Sequence, residues 1–312
     1  FKFSGKYGKN LMEEVSKYAM VADSIAAKND FDVIHAHDWL TYPAGLHAKS
    51  VSGKPVVIHV HATEFDRSRG KPNPTVYGIE KNGMDNCDHI ICVSEHTRRI
   101  VIENYHQPHW KVTAVHNAVE PLSPDIEAIE RISGVPEKVV TFLGRITMQK
   151  GPEFFVDAAT QVIQKTDHIR FVMAGSGDMM DEMIALVADR GIAHKFHFTG
   201  FLRGKQVYEL LKSSDVYVMP SVSEPFGISP LEAMQCNVPS IISYQSGCSE
   251  ILTNVIKTDY WDVDSMADAI YSICTYPAMA EHLKVEGKRE VDNIKWEDAG
   301  LKIRKIYDSL VS

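Results

Sequence analysis

The second half of the chain repeats one pattern: an apolar run, a glycine or proline turn, then a helical stripe. Val139-Val140-Thr141-Phe142-Leu143, Ile169–Ala174 and residues 215–219 each read as a strand buried on both faces. After the first, residues 144–151 lead to Pro152, which opens a helix with Phe154, Phe155, Ala158, Ala159, Val162 and Ile163 on its apolar side. After the third, Pro230 stands where a first helical turn tolerates a missing N–H, and Leu231, Ala233 and Met234 continue the helix. Alternation of this kind runs to about residue 292. It requires a parallel sheet in an α/β domain.

An open α/β sheet binds ligands at the carboxyl ends of its strands. Three segments there carry chemistry. Glu224 and Glu232 stand eight positions apart, the first on a loop and the second in the first turns of a helix. Gly227 between them permits close backbone approach, and the N–H groups of residues 227–231 suit an anion. Arg145 and Lys150 precede another helix N-terminus, and such a pair suits a diphosphate: a planar fork and a point charge. Gly175-Ser176-Gly177 is a short glycine turn after the strand Ile169–Ala174.

The first half is sparser. Leu11, Val15, Ala19, Ala22 and Ile25 give a helical stripe, and strands are expected at 33–35, 56–60, 90–93 and 112–115. Four strands leave a two-faced sheet short of cover, so the chain, which begins at Phe1, reads as lacking the opening strands of this domain. Pro121 and Pro124 mark the boundary, giving a domain at 1–120 and another at 121–294. Trp296, Ala299, Ile303, Ile306 and Leu310 mark a last amphipathic helix, 295–312. His35/His37 and His59/His61 form two H-x-H pairs, each on one face of its strand. They are candidate metal ligands, with Asp38 the nearby carboxylate, but the packing reading of His35 and His59 is preferred. Asp262-Val263-Asp264 has the D-x-D form of some metal sites, and an N-capping Asp264 explains it better.

Composition excludes more than it selects. The 312 residues fit two α/β domains. A net charge of −8 disfavours nucleic acid or an anionic membrane as principal partner, and no run is long enough to cross a bilayer. Five cysteines without C-x-x-C spacing argue against a disulfide framework and for a reducing, cytoplasmic setting.

Gly144-Arg145, Lys150, Ala174-Gly175-Ser176-Gly177 and the Glu224–Glu232 segment, in that order, resemble the retaining glycosyltransferases of the GT-B fold, whose hallmark is two Glu separated by seven residues. His35-Ala36-His37-Asp38-Trp39 and residues 59–64 are similar to segments of the glycogen and starch synthases. The resemblance implies two doubly wound Rossmann-like domains facing a cleft, the first one truncated here, with the last helix crossing back onto it. It also implies a polypeptide that continues upstream, and little transfer by residues 1–312 alone. The implied activity moves a hexosyl unit, glucosyl by the synthase likeness, from a UDP-glucose or ADP-glucose type donor to a glucan or other glycan, with retention and without a metal or other cofactor. In that scheme Glu224, His61, Arg145 and Lys150 are catalytic. Arg145, Lys150, Gly175, Gly177, Phe201, Leu202, Gly227, Ile228, Ser229, Leu231 and Glu232 hold the donor, Glu232 at the ribose and Phe201 beside the base unless that ring is simply core. The alternatives are a metal-dependent hydrolase built on the H-x-H pairs, and a GT-B epimerase or silent nucleotide-sugar-binding module.

Overall fold

A computed structural model describes residues 11–131 and 136–311. Residues 1–10, at the start of the expected first domain, and Ser312, at the end of the expected last helix, lie outside the described residues. The chain divides into two compact units, one running to His116 and resuming at Glu297, the other Asn117–Trp296. Among the described residues no helix is long and apolar enough to cross a membrane.

The first unit is built on four parallel strands in the order β1-β2-β3-β4: Ile34–His37, Val56–Val60, His89–Cys92 and Val112–Ala114. Every residue of β2 is buried, and β3 is buried except at His89, because helices or apolar side chains lie on both faces. One face packs Val56, Ile58, Val60, Ile90 and Cys92 against Val15, Tyr42, Val76, Met84 and Val101. The other face packs Val57, Ile91 and Val115 against Ala299, with Ile303, Ile306, Tyr307 and Leu310 around it. The final helix, Trp296–Val311, therefore covers one side of this sheet.

The second unit holds six parallel strands in the order β10-β9-β8-β5-β6-β7. In chain order these are β5 Lys138–Leu143, β6 Ile169–Ala174, β7 Phe196–Gly200, β8 Val216–Met219, β9 Ser240–Ser243 and β10 Ile256–Thr258. Its core joins Val140, Phe142, Phe171, Met173, Val216, Val218 and Ile241 from the sheet to Phe155, Ala159 and Val162 of one helix and Met266, Ile270 and Ile273 of another. Phe171 stacks on Phe196 at 5.4 Å, and Phe155 meets both edge-on. The strand order reverses between β5 and β8, which pair at Val140↔Val216 and Thr141↔Tyr217. Such a reversal leaves a crevice beyond the carboxyl ends of the two strands.

Candidate functional site

The loops after β5, β6 and β7 meet in the second unit. Gly144 N–H donates to Ala174 O at 3.0 Å, and Gly175 N–H donates to Gly200 O at 2.9 Å. Gly175 has φ +139°, and a Cβ there would stand 1.8 Å from Gly144 O. A Cβ on Gly177 would stand 2.0 Å from Ile146 O. Both glycines are thus demanded by the approach of one loop to another. A cavity of about 440 Å³ opens above them, lined by Gly144, Arg145, Gly175, Phe201, Leu202, Ser229 and Glu232 among others. Phe201 is 62% exposed, with the Arg203 guanidinium 5.2 Å from its ring centre, so the core-packing reading of this ring is corrected. As the first residue past β7 it faces the crevice, not the sheet. Burial holds the Glu232 carboxyl above the usual carboxylate range.

Lys150 and Glu224, 74 positions apart in sequence, form an ion pair. Topology makes this contact, since their loops leave the adjacent strands β5 and β8. Glu224 is 7% exposed, and its backbone is fixed on both sides: its N–H donates to Gln245 O and its carbonyl accepts from Gly247 N, each at 2.9 Å. Gly227, at φ +97°, lets the Glu224 stem and the Cys248 thiol pack close, at 3.1 and 3.2 Å from where its Cβ would be. Gln149 ties the two loops together, its carbonyl accepting from Val222 N at 2.9 Å and its side chain donating to Ser223 O at 3.0 Å.

The anion cradle of residues 227–231 needs correction. The helix here is Ser229–Gln235, and the Leu231 N–H is spent on Ile228 O at 2.9 Å. Pro230 has no N–H, and Leu231 is fully buried. What is left for an anion is the backbone of Gly227, Ile228 and Ser229. The D-x-D reading also shifts by two residues. Asp262 is the N-cap, accepting from Ser265 N at 3.0 Å, while Asp264 lies inside the helix Val263–Thr275 and accepts from Gln161 at 2.7 Å. Neither carboxylate lines the cavity.

The histidines of the first unit stack. Ring centres of His35 and His37 lie 4.3 Å apart, those of His59 and His61 4.4 Å, and His37 links the pairs through a 2.9 Å contact to His61 Nε2. His35 contacts the Tyr307 hydroxyl. Neither ring nitrogen of buried His59 has a hydrogen-bond partner. Burial, then the neighbouring rings, pushes His59 down to about 2 and His35 to about 4; burial also lowers His37 and His61. Ligand nitrogens of His35, His37 and His59 fall within 4.8 Å of one another. Such a grouping could hold a metal ion, and the stacking of the rings accounts for it without one. Asp38 is engaged elsewhere: at φ +57° its Oδ1 accepts from His61 N and Ala62 N, at 2.8 and 3.3 Å.

Of the residues singled out from sequence, the cavity gathers Arg145, Gly175, Phe201, Leu202, Ser229 and Glu232, and the ion pair joins Lys150 to Glu224. Gly177, Gly227, Ile228 and Leu231 are not among the cavity's lining, and His61 belongs to the other unit. Sequence reasoning passed over Val207 in the lining, and Gln149 and Gln245 behind Lys150 and Glu224. Only the position of Gln149 beside Lys150 was a signal.

Comparison with known proteins gives two family matches: Glycosyl transferases group 1 over residues 125–290, and Glycosyltransferase Family 4 over residues 14–121. An uncharacterized glycosyltransferase of Methanocaldococcus jannaschii is 31% identical over 300 residues, covering 91% of this chain and 76% of that protein. The glycogen synthase of Mycobacterium tuberculosis is 24% identical over 284 residues, covering 88% and 68%. Among solved structures, Anabaena HepE in complex with UDP and glucose superposes with a TM-score of 0.80 at 19% identity, covering 98% of this chain and 84% of that one. The two Rossmann-like parallel sheets are those of the GT-B fold.

Proposed function

This chain belongs to the glycosyl transferases group 1 family, and from that premise we propose that it is a retaining hexosyltransferase. The donor is a nucleotide diphosphate sugar of the UDP-glucose or ADP-glucose type, and the acceptor is a glucan or another glycan. One observation carries the reading: Arg145 and Glu232 share a cavity at the switch point of the second sheet, with the Lys150–Glu224 pair on the adjoining loops. HepE, whose structure holds UDP and glucose, has the same fold, and that supports a nucleotide sugar as ligand.

Breaking the anomeric C–O bond leaves negative charge on the β-phosphate. Arg145 and Lys150 stabilise that charge as fixed cations, assisted by the N–H groups of Gly227, Ile228 and Ser229. Glu232 accepts hydrogen bonds from the ribose hydroxyls. Glu224 orients the sugar and stabilises positive charge developing on its ring. The acceptor hydroxyl attacks from the face the phosphate leaves, so configuration is retained and the departing phosphate takes the hydroxyl proton. His61 enters this reading on the family resemblance alone. No step is assigned to a metal.

The test is a binding screen of nucleotide sugars on the intact protein, followed by product analysis on glucan primers and determination of the new anomeric configuration. Binding of a UDP- or ADP-hexose through the second unit, with an α-linked product from an α-linked donor, is the expected result. Inversion, or no binding of any nucleotide sugar, overturns the proposal.

A further inference from the structure

We propose that Gln149 is a positioning residue that holds Lys150 and Glu224 in register at the donor site; the inference rests on the donor-site reading above. The β5–β8 ladder is paired at Val140 and Thr141, well before either functional side chain. Beyond it, other bonds must set how the two loops lie. Gln149 makes two of them, to the two residues that immediately precede Glu224: Val222 N donates to its carbonyl at 2.9 Å, and its amide donates to Ser223 O at 3.0 Å. On the other side of Lys150, Gly151 sits at φ +61° with Pro220 O only 2.3 Å from where a Cβ would be. Lys150 is therefore flanked on both sides by contacts to residues 220–223.

A lysine stem is long and its ammonium accepts many geometries, so an ion pair alone does not fix where the charge stands. Productive geometry needs tolerances of about 0.5 Å, which calls for locked supporting groups. The backbone bond from Gln149 survives any replacement of its side chain, whereas the bond to Ser223 does not. Side-chain variants thus isolate the brace while leaving the loop connected.

Gln149→Met keeps length and removes the donor; Gln149→Lys keeps a donor of similar reach. UDP and ADP affinities are measured by calorimetry, diphosphate release from UDP-glucose and ADP-glucose by rate, and stability by Tm, with Lys150→Ala in parallel. In Gln149→Met, turnover falls about tenfold, as expected for slight misplacement of a reacting group. Affinity changes by less than about threefold, and Gln149→Lys restores most of the rate. Wild-type turnover in Gln149→Met overturns the inference, as does a joint loss of affinity and rate that Gln149→Lys fails to rescue. Should Gln149→Met not fold, Gln149→Glu, which sets an acceptor against the Ser223 carbonyl, must give the same split. If Lys150→Ala loses activity while the Gln149 variants do not, only this inference fails. If Lys150→Ala is fully active, or neither diphosphate binds the unaltered protein, the donor-site reading fails with it.

Discussion

At the scale of single residues, the ion pair between Lys150 and Glu224 sharpens what substitution should do. Removing Arg145 or Lys150 as alanine should cost roughly 2–4 kcal/mol of transition-state stabilisation each, as removal of a preorganised donor does. Steady-state kcat/KM measures it, and a double variant at wild-type rate would refute the assignment. The two carboxylates should separate. Glu224→Gln frees Lys150 from its partner, so affinity for the free nucleoside diphosphate stays level or rises by a few-fold while turnover collapses. Glu232→Ala should weaken diphosphate binding, because it lines the cavity and its proposed partner is the ribose. Calorimetry decides, and equal losses in both variants would sink the division of labour. The chemical types at these positions were legible in sequence; the contact between Lys150 and Glu224 was not, because only the reversal of strand order makes their loops neighbours. Leu231 was misread for a related reason. A backbone N–H near a helix start does not say whether the first turn has already used it.

Elements were the most legible level. Strands such as Val56–Val60 and Lys138–Leu143 are runs of β-branched and aromatic residues because both faces are covered, and that signal survives in one dimension. The capping aspartate was not legible to the residue, since D-x-D offers two equivalent oxygens and the helix start alone chooses Asp262. The glycine turns were legible as turns, but the atoms that require them come from a neighbouring loop. Two glycines make this testable. At Gly175 a methyl would meet Gly144 O at 1.8 Å, so Gly175→Ala must push the β5 and β6 loops apart, destabilising the second unit by roughly 1–3 kcal/mol and loosening nucleotide binding. Gly300, inside the helix Trp296–Val311, has nothing within 4 Å of the added carbon, so Gly300→Ala should stabilise by about 0.5–1 kcal/mol. Urea midpoints check both, and equal shifts of the same sign would contradict the reading of the Gly175 turn.

Across the whole molecule, titrating groups divide unequally between the two units, and acid should act on one before the other. The unfolded chain protonates a histidine near 6.5, whereas folded His59 waits until about 2 and His35 until about 4, because burial disfavours the charged ring. Between those values the unfolded state binds more protons, so the first unit loses stability as pH falls below 6.5. His59 alone, 5% exposed, accounts for roughly 2 kcal/mol at pH 5. Buried Glu80 in the same unit works the other way. Burial raises it to about 7 against the Tyr105 hydroxyl bond and Arg67, so its folded form takes up a proton first and gains stability as pH falls from 7. That gain offsets about one imidazole and leaves His35, His37 and His61, all lowered, to set the sign. The second unit has no comparable cluster of lowered histidines among the described residues. Hydrogen exchange read segment by segment should therefore show protection fading between pH 6.5 and 4 in β1 to β4 while β5 to β10 remain protected. His59→Leu should recover roughly 2 kcal/mol of the loss at pH 5. Parallel loss of protection in both sheets, or an unchanged acid slope in His59→Leu, would show that the stacked imidazoles are not what makes the first unit acid-sensitive.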